Sequence, residues 1–295
     1  MKKCAYLTME STEGWEIDAD LAFPPLEERG WHIDAVPWRT GRAEWNDYDA
    51  VYIGVPWDYP EAPERFLSLL DTIDKSRAIL VNDLALVHWS LSKTYLRDLE
   101  SRGVDIVPSL WHERMHNDAI EQAFDAHAVE RVIVKPVIST NAKNTYLLSR
   151  DRARELAGEL QQVYRARPFV VQPFLSNIQV EGEYSLFYFG RDFSHAIQKV
   201  PKPGDFRVQE EYGARITSVQ PEPRLLDAGD RVMRLVQPEP AYARIDFIRG
   251  PDDRFLVMEL ELIEPSMYLR MDAKAPARFA EAFDRYVRDK AGNDE

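Results

Sequence analysis

The residues best suited to chemistry lie between Ala243 and Pro265, in ARIDFIRGPDDRFLVMELELIEP. The stretch reads as two antiparallel strands about the turn Gly250-Pro251-Asp252-Asp253. Side chains alternate faces along a strand, so Arg244 and Asp246 share a face of the first strand. In the second, Phe255, Val257, Glu259 and Glu261 are expected on one face, and Leu256, Met258, Leu260 and Leu262 on the other. A register that pairs Asp246 with Glu259 closes the hairpin and gathers three carboxylates on one surface. Like charges facing one another across a sheet repel, so a positive partner is expected there. Clustered hard oxygen donors suit Mg²⁺ carrying a polyphosphate. Taken alone, the same pattern also describes the solvated face of an amphipathic strand.

Composition narrows the setting. A chain of 295 residues suggests about two domains, and 45% hydrophobic residues supply a substantial core. The net charge of -13 argues against a nucleic-acid binder, which needs a basic footprint. No apolar run is long enough to span a membrane, and the apolar run after Lys3 is too short for a signal peptide. The single cysteine, Cys4, excludes an internal disulfide and fits a reducing cytoplasm. The chain contains no G-x-x-x-x-G-K-[ST], no G-x-G-x-x-G and no G-x-S-x-G, which argues against a Walker-type NTPase, a dinucleotide fingerprint and an esterase elbow.

Several elements must position the hairpin. Residues 3–9, 31–37, 49–55 and 78–82 read as buried strands, with helices over about 16–29 and 60–75. Such alternation implies a parallel sheet covered by helices. A helix over 91–101 follows, with Ser90 as its N-cap and Lys93 in its first turn, where a cation does not help the helix dipole. Val104 to Val107 reads as a strand. His112-Glu113-Arg114-Met115-His116 spells the zinc-peptidase motif, but Pro108 lies close before it and Asn117-Asp118 starts a new helix through Phe124. It therefore reads as a loop with two solvated histidines. The strand 131–136 ends near Lys135, before a polar loop, and a helix covers 150–164. The strand from Phe169 stops at Gln172-Pro173-Phe174-Leu175, since proline cannot donate a ladder bond. A second hairpin joins Glu183–Phe189 to Phe193–Val200, with Phe193, His195, Ile197 and Lys199 expected on one face. Lys199 among apolar neighbours needs an anion. Residues 201–222, which include Arg207 and Arg215, read as a long loop, and helices over about 225–236 and 275–290 complete the chain.

In order, the chain offers Lys93, Lys135, Gln172-Pro173-Phe174-Leu175, Gly182-Glu183, Lys199, Arg207, Arg244-x-Asp246 and Glu259-x-Glu261. This resembles the ATP-grasp superfamily, which includes glutathione synthetase and D-alanine–D-alanine ligase. Trp57-Asp58-Tyr59, Trp89 with Lys93, Gly182-Glu183-Tyr184-Ser185-Leu186, Ser194-His195-Ala196 and Glu261-Leu262-Ile263-Glu264-Pro265-Ser266 resemble the branch that contains O-ureido-D-serine cyclo-ligase. The chain departs from that pattern twice. The loop Ser139 to Thr145 has no glycine, and Gly54-Val55-Pro56 stands where relatives carry an arginine.

The resemblance implies an α/β (α+β) ATP-grasp fold in three parts: an N-terminal parallel α/β domain (1–85), a linker helix and small β-rich lid (86–172), and a C-terminal antiparallel-sheet domain (173–295). It implies that Lys93 and Lys135 hold the α/β-phosphates of ATP, that the backbone of Gln172, Pro173, Phe174 and Leu175 reads adenine, and that Glu183 accepts from the ribose. Lys199 and Arg207 would sit near the phosphates, Asp246, Glu259 and Glu261 would hold two Mg²⁺ ions, and Arg244 would stabilise an oxyanion. Trp57, Tyr59 and Ser266 are substrate candidates by position; as packing aromatics, Trp57 and Tyr59 have an equally simple explanation. The implied activity is an ATP- and Mg²⁺-dependent carboxylate–amine ligase or intramolecular cyclo-ligase acting through an acyl phosphate on a small amino-acid-like substrate. Its partners would be a small-molecule carboxylate and an amine, with neither nucleic acid nor membrane, and the reading is compatible with a homodimer. A small-molecule kinase and a non-catalytic nucleotide-binding protein are the rival readings.

Overall fold

The computed structural model describes residues 1–116 and 118–292. Asn117 of the expected helix-start signal lies outside them. Asp118 occupies the N-cap of the helix Ala119–His127, but its side chain makes no capping bond.

The described residues form three sheets. In the first, β1 (Lys2–Thr8), β2 (Trp31–Pro37), β3 (Ala50–Val55) and β4 (Ile79–Val81) run parallel in the order β2-β1-β3-β4. A parallel sheet is covered on both faces, and β3 is buried along its whole length. The helix Pro63–Asp74 covers one face through Phe66, Leu70 and Ile73. The other face is covered from the far end of the chain: Phe279 and Phe283 of the helix Ala275–Gly292 pack on Tyr52 and Trp31. The helix expected over 16–29 is only the 3₁₀ turn Ala19–Ala22 and the short helix Phe23–Glu27. Pro24 and Pro25 lack the N–H groups that a helix running through them would need, so they can only open one.

The helix expected over 91–101 begins only at Tyr95 and runs to Ser101, and a separate helix, Leu84–Ser90, precedes it. Asp83 caps the latter by accepting from the Leu86 N–H. Ser90 is not a cap; it ends that helix, and its hydroxyl donates back to the Leu86 carbonyl at 2.8 Å. Lys93 therefore lies in the connection rather than in a first turn, and its backbone N–H donates to the Val137 carbonyl at 2.8 Å. The 104–107 segment is not a sheet strand; it forms a single parallel bridge, Ile106 to Val257.

The second sheet is antiparallel, in the order β5-β8-β6-β7, from β5 (Leu110–His112), β6 (Arg131–Pro136), β7 (Tyr146–Ser149) and β8 (Phe169–Pro173). His112 is thus in a short edge strand rather than a loop, stacked on Phe169 at 4.9 Å. Its Nδ1 lies 3.3 Å from His116 Nε2. The helix expected over 150–164 is interrupted at Leu156 into Arg150–Glu155 and Ala157–Tyr164.

The third sheet is antiparallel, in the order β11-β10-β9-β12-β13, from β9 (Glu183–Phe189), β10 (Asp192–Val200), β11 (Arg215–Ser218), β12 (Tyr242–Arg249) and β13 (Phe255–Glu261). The helix Pro223–Leu235 packs Leu225, Val232 and Met233 behind it. β11 lies within the expected 201–222 loop; its residues are exposed or half-buried, so it carries no apolar alternation.

Two bulges change the face of residues along these strands. β10 pairs Phe193 with Tyr188 but His195 with Phe187, leaving Ser194 extra. Phe193 therefore packs in the helix-side core, apart from His195, Ile197 and Lys199. β13 pairs Glu259 with Asp246 but Val257 with Phe247, leaving Met258 extra. Two residues opposing one rotates everything beyond the bulge to the other face. Phe255 and Val257 thus join Leu260 and Leu262 in the helix-side core, while Leu256 and Met258 belong to the cluster beside Ile248 and Phe174.

Candidate active site

The expected hairpin register is observed. Asp246 opposes Glu259 and Arg244 opposes Glu261. One carboxylate oxygen from each of Asp246, Glu259 and Glu261 lies within 4.8 Å of the others. An all-oxygen donor set of this kind fits Mg²⁺. The repulsion it implies is met by bases from the hairpin itself and from other elements. Arg244 Nη2 lies 3.0 Å from Asp246 Oδ2 and also contacts Glu261 Oε1. Lys199 Nζ lies 2.7 Å from Glu183 Oε1 and 3.4 Å from Asp246 Oδ1. Lys93 Nζ reaches Glu259 Oε1 at 2.9 Å and donates to the Ser139 carbonyl at 3.1 Å. The Ser185 hydroxyl donates to Asp246 Oδ1 at 2.5 Å.

These pairings set the charge states. Burial works against the charge on Asp246, but Arg244 and Lys199 outweigh it and hold its pKa at about 2. Burial likewise opposes the charge on Glu259, and Lys93 and Lys135 outweigh it, so its pKa is lowered. For Glu261 burial wins over Arg244, and its pKa is pushed up to about 7. Burial lowers the pKa of Lys135, opposed by the charge on Glu259.

A cleft between the second and third sheets runs into this cluster. Val107, Ile133, Phe174, Ile178, Ile248 and Met258 line its apolar end. The expected hinge borders the same end. Gln172 is still in the ladder opposite Ile133, and its side chain donates to Ser109 Oγ at 2.8 Å. Pro173 has no N–H, and the Phe174 N–H is taken by the Arg131 carbonyl at 3.0 Å. The Leu175 N–H has no partner among the described residues. Sequence reading missed the apolar slot. Its signal was weak: Ile133 lies two residues before Lys135 and so on its face, but Met258 reaches the slot only through the bulge.

Lys93, Lys135, Glu183, Lys199, Arg207 and Arg244 all line the cleft. Arg207 is held by Asp205, Nη2 to Oδ2 at 2.8 Å, and lies over the Tyr212 ring at 3.8 Å. Trp57, Tyr59 and Ser266 also line the cleft. Tyr59 is buried and stacked on Phe66 at 4.9 Å. Trp57 donates from its indole to the Glu264 carbonyl at 2.9 Å, and the Ser266 carbonyl accepts from Arg244 Nη1 at 3.2 Å.

The glycine-free 139–145 loop makes its turns with Asn141, Ala142 and Asn144 at φ of 48, 53 and 57°. It is anchored across the cleft. Thr140 Oγ1 donates to the Trp57 carbonyl at 2.8 Å, Lys143 reaches Glu61 at 2.8 Å, and the Tyr212 hydroxyl donates to the Asn141 carbonyl at 3.3 Å.

Two antiparallel sheets enclose an apolar slot, with lysines from both and three carboxylates on the β12–β13 hairpin of the third sheet, and the chain has the ATP-grasp fold. Among individual proteins, the crystal structure of D-cycloserine synthetase DcsG matches with a TM-score of 0.86 at 23% identity, over 97% of this chain and 99% of that one. Cycloserine biosynthesis protein DcsG of Streptomyces lavendulae is 26% identical over 287 residues, covering 92% of this chain and 95% of its own. Residues 4–82 match the family described as D-cycloserine synthetase DcsG, N-terminal domain. D-alanyl-alanine synthetase A from Vibrio cholerae matches with a TM-score of 0.73 at 15% identity over 99% of both chains. ATP-grasp ligase PsnB, complexed with minimal precursor, Mg and ADP, matches with a TM-score of 0.62 at 16% identity, over 97% of this chain and 98% of that one. Among the described residues no helix is long and apolar enough to cross a membrane.

Proposed function

We propose that this protein is an ATP- and Mg²⁺-dependent ligase that joins a carboxylate to an amine, in one molecule or between two. The observation that carries the proposal is the Asp246, Glu259 and Glu261 trio, within 4.8 Å of one another and at the end of a cleft lined by lysines and arginines. Its relatedness to DcsG and to D-alanyl-alanine synthetase supports the ligase class. Mg²⁺ at the trio, two ions in this reading, would neutralise and bridge the phosphates.

The chain's own residues then divide the work. The apolar slot takes adenine, with the Leu175 N–H as the free hinge donor, and Glu183 faces the ribose. Lys93 and Lys135 hold the phosphates, with Lys199 and Arg207 beside them. A substrate carboxylate oxygen bonds to the γ-phosphorus and ADP leaves. The amine nitrogen then bonds to the acyl carbon, the C–O bond to phosphate breaks, and the amine loses a proton. Arg244 stabilises the oxyanion of that second step, and the segment carrying Arg207 and Tyr212 keeps water from the acyl phosphate. The reading divides the chain at residues 85 and 172 into an N-terminal domain, a lid and a C-terminal domain, with Trp57, Tyr59 and Ser266 toward the substrate.

Glu259→Gln tests it. The variant is expected to stay folded and to lose ADP release; an undiminished rate would sink the proposal. Trapping with hydroxylamine tests the intermediate: a hydroxamate is expected, and its absence with an active substrate would favour transfer to a hydroxyl instead.

A further inference from the structure

Three connecting segments line the cleft. Residues 10–18 follow β1, 139–145 join β6 to β7, and 205–212 lie between β10 and β11. They present Trp15 and Glu16, Thr140 and Asn141, and Arg207 and Glu210. The middle segment has its own ties, through Thr140 and Lys143 to the N-terminal residues and through Asn141 to Tyr212. Among the described residues, no hydrogen bond or salt bridge joins 10–18 directly to 205–212. One side chain, Arg270, meets both. Its Nη1 lies 2.9 Å from Asp18 Oδ2, and its Nη2 pairs with Glu210 Oε2. Its backbone N–H donates to the same Asp18 oxygen at 3.1 Å.

The contact is built to hold. Asp18 is 6% exposed, and Arg270 is the one salt-bridge partner of Asp18 and of Glu210 among the described residues. A buried carboxylate without its base is strongly unfavourable, so Asp18 fixes the guanidinium. The guanidinium also lies over the Tyr268 ring at 4.9 Å. Its N–H arms are fixed in one plane, so seating one arm on Asp18 aims the other at Glu210. Arg270 itself stands behind the cleft wall, apart from the residues that meet phosphate, metal or the acyl group.

We propose that Arg270 is a positioning residue that couples the 10–18 segment to the 205–212 segment, so that the two close over the acyl phosphate together and neither opens alone. This rests on the ligase reading and names what holds the segment that excludes water. When the pair is open, a water oxygen takes the place of the amine nitrogen. It bonds to the acyl carbon, and the C–O bond to phosphate breaks. One proton of the water passes to the phosphate and the other to solvent. The original carboxylate is regenerated, and ATP is consumed without a new C–N bond.

The test compares wild type with Arg270→Met, Asp18→Asn and Glu210→Gln, in two readouts. The first is amide hydrogen exchange with AMPPNP and Mg²⁺ present, read over 10–18, over 205–212, and over β9 and β12 as the control. Arg270→Met is expected to speed exchange about tenfold in both segments, between the effects of an exposed and a buried pair, and to leave the control strands unchanged. Coupling is reciprocal. Asp18→Asn is therefore expected to speed exchange in 205–212, and Glu210→Gln in 10–18, though neither residue bonds to the other's segment. The second readout is ADP against hydroxamate in hydroxylamine, with a carboxylate that wild type turns over. Wild type is expected to form them in equal amounts, and each variant to release ADP in excess. Exchange that quickens only in the segment carrying the substitution overturns the inference. So does exchange that quickens in the control strands of all three variants, or ADP and hydroxamate that fall in equal proportion, as in a merely less stable enzyme. No hydroxamate from wild type overturns the ligase reading itself, and the sealing role with it, whatever the exchange shows.

Discussion

Replacing Lys199 by methionine keeps the length of the side chain and removes its charge. Lys199 Nζ lies 2.7 Å from Glu183 and 3.4 Å from Asp246, whose residues are only 6% and 3% exposed. Asp246 keeps Arg244 and Ser185. Glu183 loses its one salt-bridge partner among the described residues. A buried carboxylate left alone takes up a proton rather than stay charged. At about 1.4 kcal/mol per pH unit, protonating a carboxyl of ordinary pKa 4.5 at pH 7 costs about 3.4 kcal/mol. That agrees with the roughly 3–5 kcal/mol lost when one side of a buried pair is removed. The sign fixes a pH signature. Burial already raises the pKa of Glu183 with Lys199 in place, and loss of Lys199 raises it further, so the added penalty is absent below about 4.5 and grows as the pH rises. Urea denaturation at pH 7 and pH 5 should therefore show a loss of up to about 3 kcal/mol at the first and under about 1 kcal/mol at the second. Lys199→Met with Glu183→Gln should recover most of the loss at pH 7, because removing both partners is close to neutral. An equal loss at both pH values, or a double variant no more stable than the single one, would refute the pairing argument.

Two other perturbations reach the same sheet from the outside. Gly182 has φ +99°, and a Cβ there would lie 2.4 Å from the Lys199 carbonyl oxygen. Gly182→Ala should cost about 2 kcal/mol or more in urea denaturation and lower ATP turnover by moving Lys199. His195 is buried against Phe187, and burial lowers its pKa from 6.5 to about 4. A depressed folded pKa gives stability that is present above 6.5 and lost as the pH falls towards 4, about 3 kcal/mol in all. His195→Asn should be less stable at pH 7 by urea denaturation, but should lose less than wild type between pH 7 and 4.5.

The geometry of the candidate site was legible because its residue types recur at short spacing. Arg244-x-Asp246 and Glu259-x-Glu261 need only strand alternation and one register to converge, and the register is the observed one. An apolar strand carrying Lys199 requires an anion, and the sheet supplies Glu183 beside it and Asp246. Which base meets which acid was not legible, because those pairs join residues far apart in sequence, such as Lys93 with Glu259.

The fold shows where alternation fails as a guide. Reading β13 with strict period two puts Phe255 and Val257 on the carboxylate face, and the extra residue Met258 reverses them. Glu259 and Glu261 follow the bulge and keep their phase with each other and with Asp246, so the site survives an error that misplaces half the strand. The bulge also has a consequence that regular pairing lacks. It turns Leu256 and Met258 toward Ile248 and Phe174, so apolar side chains line the slot immediately beside the carboxylates. A regular strand would place Phe255 and Val257 there and drive Leu256 and Met258 into the helix-side core. One inserted residue thus lets a single strand present carboxylates at one end and an apolar slot wall at the other, the two chemistries that a nucleotide with its metal requires side by side.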